Sequence, residues 1–220
     1  MGVFALDSYV LILRGSNVLE FVDGLSTNKI VGTCTTVFTT RNAKIIDMCE
    51  IIVKPDYVAI IGHGPFKQSI LNHLSTRIFD SDITIGDASA NNEVFLSTTD
   101  FEVENGVTKI ETFRGFIIIA PSGKGPDVTM TEKEFSNYRV ENMIPHQGYE
   151  ITQEVHPLAC GLGHVVHENK GCYIGQEILA RMRSRNRQGR ELVKLQMNES
   201  KNPTTVGNTH CLEIRRVNNE

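Results

Sequence analysis

The chain is 220 residues long, with 40% hydrophobic, 22% charged and 7% aromatic residues and a formal net charge of −4. A chain of this size buries enough surface to fold without a disulfide or metal staple, and its ordinary composition excludes collagen, coiled-coil and largely disordered proteins. The acidic balance argues against a globally basic nucleic-acid or membrane binder, and the longest apolar runs, such as Ile117–Ala120, fall far short of the roughly 18 residues that cross a bilayer.

In chain order, Ser8–Leu13 reads as a strand ending at Arg14-Gly15. Ser16 then suits the N-cap of a short helix with Val18, Leu19 and Val22 on one face and Gly24 as its stop. Gly32–Thr40 and Ala43–Val53 form a predicted hairpin around Arg41-Asn42, and Tyr57–Gly62 follows as a strand after the Lys54–Asp56 turn. Gly64-Pro65 opens a helix whose apolar positions, Phe66, Ile70, Leu71, Leu74 and Ile78, fit a 3.6-residue period. Asp82–Ile85, Val94–Leu96, Val107–Phe113 and Phe116–Ala120 are further strands, and Ser122–Pro126 is a loop. Thr131 and Glu134 make a capping box for a helix over Glu132–Asn142. From Pro145 to Gly189 the chain is dense in His, Gly, Cys and Arg, and Glu191–Met197 is a last strand before a tail read as a hairpin or partly disordered.

This mixture of local hairpins and helices predicts an α+β fold with largely antiparallel sheets. The expected organisation is a first α+β unit over residues 1–90, a second over 91–190 that contains a cysteine loop, and a short strand and tail over 191–220. The first residues carry neither a secretory n-region and apolar core nor an Arg-rich transit pattern, so a soluble cytoplasmic protein is expected. Five widely spaced cysteines, Cys34, Cys49, Cys160, Cys172 and Cys211, do not suggest a disulfide framework.

The stretch richest in chemistry is Lys170-Gly171-Cys172-Tyr173-Ile174-Gly175-Gln176-Glu177, running into a helix through Ile178, Leu179 and Met182. A loop with two glycines before a helix start presents backbone N–H groups and the positive end of a dipole. Cys172, beside Lys170, is then either a thiol with thiolate character or an incidental thiol in a turn. Arg181, Arg183, Arg185, Arg187 and Arg190 are either an anion site or a solvated charge run. His156, Cys160, His164, His167 and Cys172 are all ligand types, but their spacing matches none of the strong zinc patterns, and no metal is expected.

The octamer KGCYIGQE followed by Arg181 resembles the signature of the YgfZ family of folate-binding proteins. These are relatives of the glycine-cleavage T-protein, the tetrahydrofolate-dependent aminomethyltransferase. Four further blocks resemble that family in the same order. Residues 14–28 resemble its opening R-G-x-D-x-x-x-F-L-Q-G-L-x-T-N, and Ala43–Asp47 resembles G-K-I-I-D-D. Arg139–Pro145 resembles R-I-E-A-G-I-P, and Glu154–Leu162 resembles E-x-x-P-x-E-A-x-L.

The resemblance implies a tetrahydrofolate-binding core whose C-terminal barrel domain is reduced or absent. It implies a role in iron–sulfur cluster assembly or repair, with client proteins of that pathway and effects on tRNA-modifying enzymes. An aminomethyltransferase-like one-carbon enzyme and a metal-binding or interaction module without folate are the alternatives. It places Glu141 as the carboxylate that accepts the paired N–H groups of the pterin, a strong bidentate arrangement. Without the resemblance, Glu141 reads as a surface residue at a helix end. Asp47 would face the reactive folate edge, although as a bare sequence position it reads as an exposed strand-end residue. Met48 stands where T-proteins carry a second Asp. Lys170, Gln176 and Arg181 complete the expected folate contacts, and Cys172 is the expected reactive group. No membrane partner is expected, and the only local nucleic-acid signal is the Arg181–Arg190 run.

Overall fold

The computed structural model describes residues 2–79, 81–185 and 188–217. In chain order the elements are β1 (Val3–Leu6), β2 (Ser8–Arg14), α1 (Val18–Leu25), β3 (Cys34–Thr39), β4 (Ile45–Lys54), β5 (Tyr57–His63), α2 (Lys67–Ser75), β6 (Thr84–Asp87) and β7 (Asn92–Ser97). They continue with β8 (Thr108–Thr112), β9 (Gly115–Pro121), α3 (Glu132–Glu141), α4 (Gln176–Ser184), β10 (Arg190–Gln196), β11 (Thr205–Val206) and β12 (His210–Arg216). The fold is α+β with antiparallel sheets and few helices, as expected from the pattern of elements.

The chain divides into two compact units that interleave in sequence. Unit one is Met1–Val22, Ile30–Thr35 and Cys49–Glu132; unit two is Asp23–Lys29, Thr36–Met48 and Lys133–Glu220. Strands β3 and β4 pass from one unit to the other within their length.

In unit one, β2 is flanked by β5 and β6, and β5 also pairs with Glu50–Lys54 of β4, all antiparallel. Leu11, Leu13, Ile51 and Ile60 are fully buried, as are Ile70 and Leu74 of α2. A second sheet runs in the order β1-β7-β9-β8. Val3, Phe95, Ile118 and Ala120 form a cluster on it, flanked by Phe101 and Val107. β1 is absent from the sequence reading because Val-Phe-Ala-Leu has no alternation; it exists because β7 supplies a partner at Val94–Ser97.

In unit two the core is built on the first half of β4. Ile45 and Met48 pack with Val37, Ile151, Cys160, Leu162 and Val165. A neighbouring cluster joins Ala43, Leu158, Val166, Tyr173 and Leu179. The final strands form a three-stranded sheet in the order β10-β12-β11, and Leu192 and Leu212 of that sheet pack on Val140 of α3. The tail therefore carries the regular strands β11 and β12, because β10 gives β12 a seven-residue antiparallel partner. No barrel is present among the described residues.

Several element edges differ from the expectation. α1 begins at Val18, with the Asn17 carbonyl accepting the first bond from Phe21 at 3.0 Å, and it runs through Gly24 to Leu25. Gly64–Phe66 is a 3-10 turn that precedes α2, and α2 ends at Ser75, so Ile78 lies outside it. His156, Cys160 and His164 do not share a helix. They fall on and beside two short 3-10 turns, Pro157–Cys160 and Gly163–Val165, separated by Gly161 in a left-handed conformation at φ 83°.

Candidate functional site

All the site residues expected from the sequence belong to unit two. The cysteine loop is held on both sides of Cys172. The Lys170 side chain is 1% exposed, and its ammonium donates to the carbonyls of Asp23 (2.6 Å), Ser26 (2.9 Å) and Asn28 (2.9 Å) and to Asp23 Oδ1 (3.1 Å). These oxygens lie at and just beyond the C-terminal end of α1, where a cation offsets the unsatisfied carbonyls and the negative dipole end. Lys170 is thus a buried clamp on α1. Tyr173 is buried in the cluster with Leu158 and Leu179, and the Ile174 carbonyl accepts from Thr39 Oγ1.

Gly175 is the N-cap of α4 at φ 87°. A Cβ there would stand 2.7 Å from the Thr40 carbonyl oxygen and 2.9 Å from Thr39 Oγ1, so glycine is required for both conformation and space. A Cβ at Gly171 would meet nothing within 4 Å. Between these anchors Cys172 is exposed and reduced. Gln176 turns its side-chain oxygen back to the Tyr173 N–H at 3.4 Å.

Gln176 also lines a cavity of about 330 Å³ beside α4, together with Tyr173, Leu179, His167 and Arg183. Arg183 donates to the carbonyls of Val166 (3.0 Å) and Gly163 (2.8 Å) and pairs with Glu168, so it braces the wall of that cavity. Arg181 points elsewhere. It pairs with Glu177 at 2.7 Å on the exposed face of α4. Arg187 lies outside the described residues.

Asp47 is 0% exposed. It is the third of eight consecutive buried residues in β4 and not an exposed strand end. Its Oδ1 accepts from the Met48 N–H at 2.8 Å and from Gln147 Nε2 at 3.4 Å; Gln147 also donates to the Met48 carbonyl at 2.9 Å. Met48 enters the apolar cluster with Val37, Ile151 and Leu162. Position 48 is aliphatic packing, where a second carboxylate would be buried without a partner.

Glu141 closes α3. Its side chain is 43% exposed, with Oε2 3.5 Å from Lys194 Nζ and Oε1 3.8 Å from His210 Nδ1. These are ion-pair separations, and neither is a hydrogen bond. A carboxylate at the C-terminal end of a helix is disfavoured by the dipole, and the Lys194 ammonium of β10 offsets that; Lys194 also donates to the Glu141 carbonyl at 3.0 Å. The helix ends in a Schellman motif: Ile144 N–H bonds to Arg139 O (2.8 Å) and Met143 N–H to Val140 O (3.3 Å). Met143 occupies the left-handed position at φ 52°.

Sequence reasoning passed over the buried polar cluster behind this end of α3. Arg139 donates to Glu150 Oε2 (2.9 Å) and to Thr205 Oγ1 (2.9 Å), while Glu150 Oε1 accepts from the hydroxyls of Thr204 and Thr205, each at 2.6 Å. The His146 N–H also bonds Glu150 Oε2 at 3.1 Å, so this cluster fixes the turn that carries Gln147. A buried pair needs this degree of hydrogen bonding to offset its desolvation. The sequence signal was a charged residue, Glu150, inside an otherwise apolar and turn-like stretch. In unit one a comparable pair joins Arg114 to Glu50 at 2.7 Å, with Thr35 Oγ1 donating to the other Glu50 oxygen at 2.6 Å.

The histidines and cysteines of residues 156–172 do not converge. Cys160 is packed in the core, where burial pushes its thiol up to about 12. No group of three His, Cys, Asp or Glu side chains arranged to hold a metal ion occurs among the described residues. No helix among them is long and apolar enough to cross a membrane.

No protein-family model matches the chain, and no curated protein matches it. Among solved structures it is similar to the glycine cleavage system aminomethyltransferase T from Bartonella henselae, with a TM-score of 0.70 at 15% sequence identity. The match covers 89% of this chain and 66% of that protein, so the chain spans just under two thirds of its length. At this identity the likeness establishes a shared fold.

Proposed function

We propose that this chain binds a tetrahydrofolate or a one-carbon derivative of it, and that it acts as an accessory factor in iron–sulfur cluster assembly or repair, with tRNA-modifying enzymes among those affected. The observation that carries the folate reading is the aminomethyltransferase T fold over 89% of the chain. The sequence blocks that resemble the YgfZ family support it. Two positions where that family's pattern has glycine are Ala43 and Met143, and these are the two non-glycine residues with positive φ among the described residues.

The donor set suits a pterin at Glu141. Its carboxylate is half-exposed and accepts no hydrogen bond from the described residues, so both oxygens can accept the paired N–H groups of a 2-amino-4-oxo ring. Asp47, oriented by Gln147, is the buried carboxylate assigned to the reactive edge. Gln176 serves from the cysteine loop, and Arg181 can leave its exposed Glu177 partner for an acidic tail at little cost. Lys170 acts by holding the loop on α1, and Cys172 is the reactive thiol. Met48 in the apolar cluster leaves the chain with one carboxylate at this point of β4, which favours the accessory role over aminomethyl transfer.

Calorimetric titration of the full chain with tetrahydrofolate tests the reading. Saturable binding is expected, weakened about tenfold or more in Glu141→Gln, which loses a charge-assisted pair. Absence of binding would leave an interaction module without folate. Production of methylene-tetrahydrofolate from a loaded lipoyl carrier would assign the transferase activity instead. Cys172→Ala is expected to keep folate affinity and lose the accessory function.

A further inference from the structure

The cavity of about 330 Å³ beside α4 is lined by neither Asp47, Glu141 nor Cys172. Its volume lies at the small end of the roughly 300–1,000 Å³ that small-molecule pockets occupy. Val166, Tyr173 and Leu179 line it and belong to one packed cluster with Ala43 and Leu158. Core packing fixes their positions, so the cavity has a preformed apolar bed.

Two opposite charges stand on the same lining. Arg183 and Glu168 are its only Arg, Lys, Asp or Glu side chains among the described residues. The Arg183 guanidinium is held in place by the carbonyls of Val166 and Gly163, which take two of its five N–H groups. Glu168 Oε1 lies 3.5 Å from Arg183 Nη1, an ion-pair separation without a hydrogen bond. The other N–H groups of Arg183 and both oxygens of Glu168 have no hydrogen-bond partner among the described residues. The two side chains are 32% and 68% exposed, so both charges are open to an incoming group. A loose, exposed pair of this kind contributes little to stability and rearranges at little cost.

We infer that this cavity binds a free α-amino acid with an apolar side chain, its carboxylate on Arg183, its ammonium on Glu168 and its side chain on Val166, Tyr173 and Leu179. The arrangement of charge makes the selection. A carboxylate or phosphate alone would meet the negative Glu168 beside the guanidinium, and an amine alone would meet Arg183. A neutral apolar molecule would give neither charge a partner. A free amino acid carries both charges on groups bonded to one carbon, side by side as Arg183 and Glu168 stand here. The planar guanidinium suits a carboxylate in particular. Binding is non-covalent, and no bond is made or broken. The site does not rest on the folate reading: Gln176 is the only lining residue that reading uses, and the test leaves it unchanged.

The test is calorimetric titration of the full chain with L-leucine and L-phenylalanine at about pH 7, where the carboxylate and the ammonium are both charged. Saturable binding is expected. For the tighter of the two, the analogue without the ammonium, the analogue without the carboxylate, and glycine are each expected to bind at least about tenfold more weakly. Glu168→Gln is expected to keep the thermal unfolding midpoint and to weaken the amino acid at least about tenfold. It should bind the analogue without the ammonium no more weakly than the parent chain does, because the opposing charge is gone. Ala180→Phe, at an exposed position of α4 on the lining, is expected to keep the midpoint and abolish binding. No binding of either amino acid, equal binding of an analogue that lacks one charge, or unchanged affinity in Glu168→Gln or Ala180→Phe would overturn the site. Displacement of the bound amino acid by tetrahydrofolate would also overturn it, by making the cavity part of a folate site. Amino-acid binding by a chain that binds no tetrahydrofolate would uphold this site while the folate reading fails.

Discussion

Arg139 Nη1 lies 2.9 Å from Glu150 Oε2, and neither side chain is more than 1% exposed. The guanidinium also stacks over Tyr149 at 4.7 Å. Removing one partner strands the other charge inside unit two. Glu150→Gln and Arg139→Met are each expected to cost about 3–5 kcal/mol in urea unfolding. The double change Arg139→Met/Glu150→Leu is expected to cost well below the sum, because it removes both buried charges. An additive result would show that the pair is not coupled.

The two glycines of the cysteine loop are expected to behave differently. Gly175→Ala places a Cβ 2.7 Å from the Thr40 carbonyl in a left-handed backbone and should destabilise by at least about 2 kcal/mol. Gly171→Ala has open space around it and should stay within about 1 kcal/mol. Chemical denaturation of the two variants side by side decides the matter, and equal losses would refute the steric account of the loop.

Met143 holds the left-handed position of the Schellman motif at φ 52°. A non-glycine side chain costs roughly 1 kcal/mol there. Met143 is exposed, so its replacement gives up little packing. Met143→Gly should therefore raise the unfolding free energy by several tenths to about 1 kcal/mol. Ala43→Gly, at φ 59°, should gain less, since the Ala43 methyl packs with Leu158 and Tyr173.

His73 in α2 is held at about 4, below its ordinary 6.5, by burial first and by the Arg77 charge second. The folded state keeps the ring neutral, while the unfolded chain takes a proton once the pH falls below 6.5. This contribution to stability is complete above pH 6.5 and is lost as the pH falls toward 4. At about 1.4 kcal/mol per pKa unit the loss is at most about 3–4 kcal/mol, less what partial exposure screens. Burial lowers His63 and His156 in the same direction. Urea midpoints for the parent chain and for His73→Gln, measured between about pH 7 and pH 4.5, should converge on acidification. Parallel curves would contradict this.

The class of fold was legible because hairpin signals at Arg41-Asn42 and the periodic face of Ile70, Leu71 and Leu74 are local. The burial of Asp47 was not legible, because a carboxylate in a strand reads as exposed until Gln147 is known to lie against it. Nor was the burial of Lys170, whose acceptors come from a helix end about 145 residues earlier in the chain. The glycine requirement at position 175 was foreshadowed by the motif, but its cause, the Thr40 carbonyl, is a contact across the fold. Glu141 lies at a helix end, as its bare sequence position suggests, while its neighbours come from two separate segments, Lys194 from the strand read over Glu191–Met197 and His210 from the tail read as a hairpin or partly disordered. Patterns within one element are written in neighbouring residues; pairings across the chain are not.

The chain passes between the two units at Val22, Lys29, Thr35, Met48 and Glu132. During synthesis, residues 23–29 and 36–48 leave the ribosome long before the partners that enclose them. Asp47 waits for Gln147, 100 residues downstream, before its carboxylate has that donor. Unit two can therefore neither be excised as one continuous fragment nor assemble until the last third of the polypeptide has been translated, and its early segments are the ones a chaperone would meet exposed.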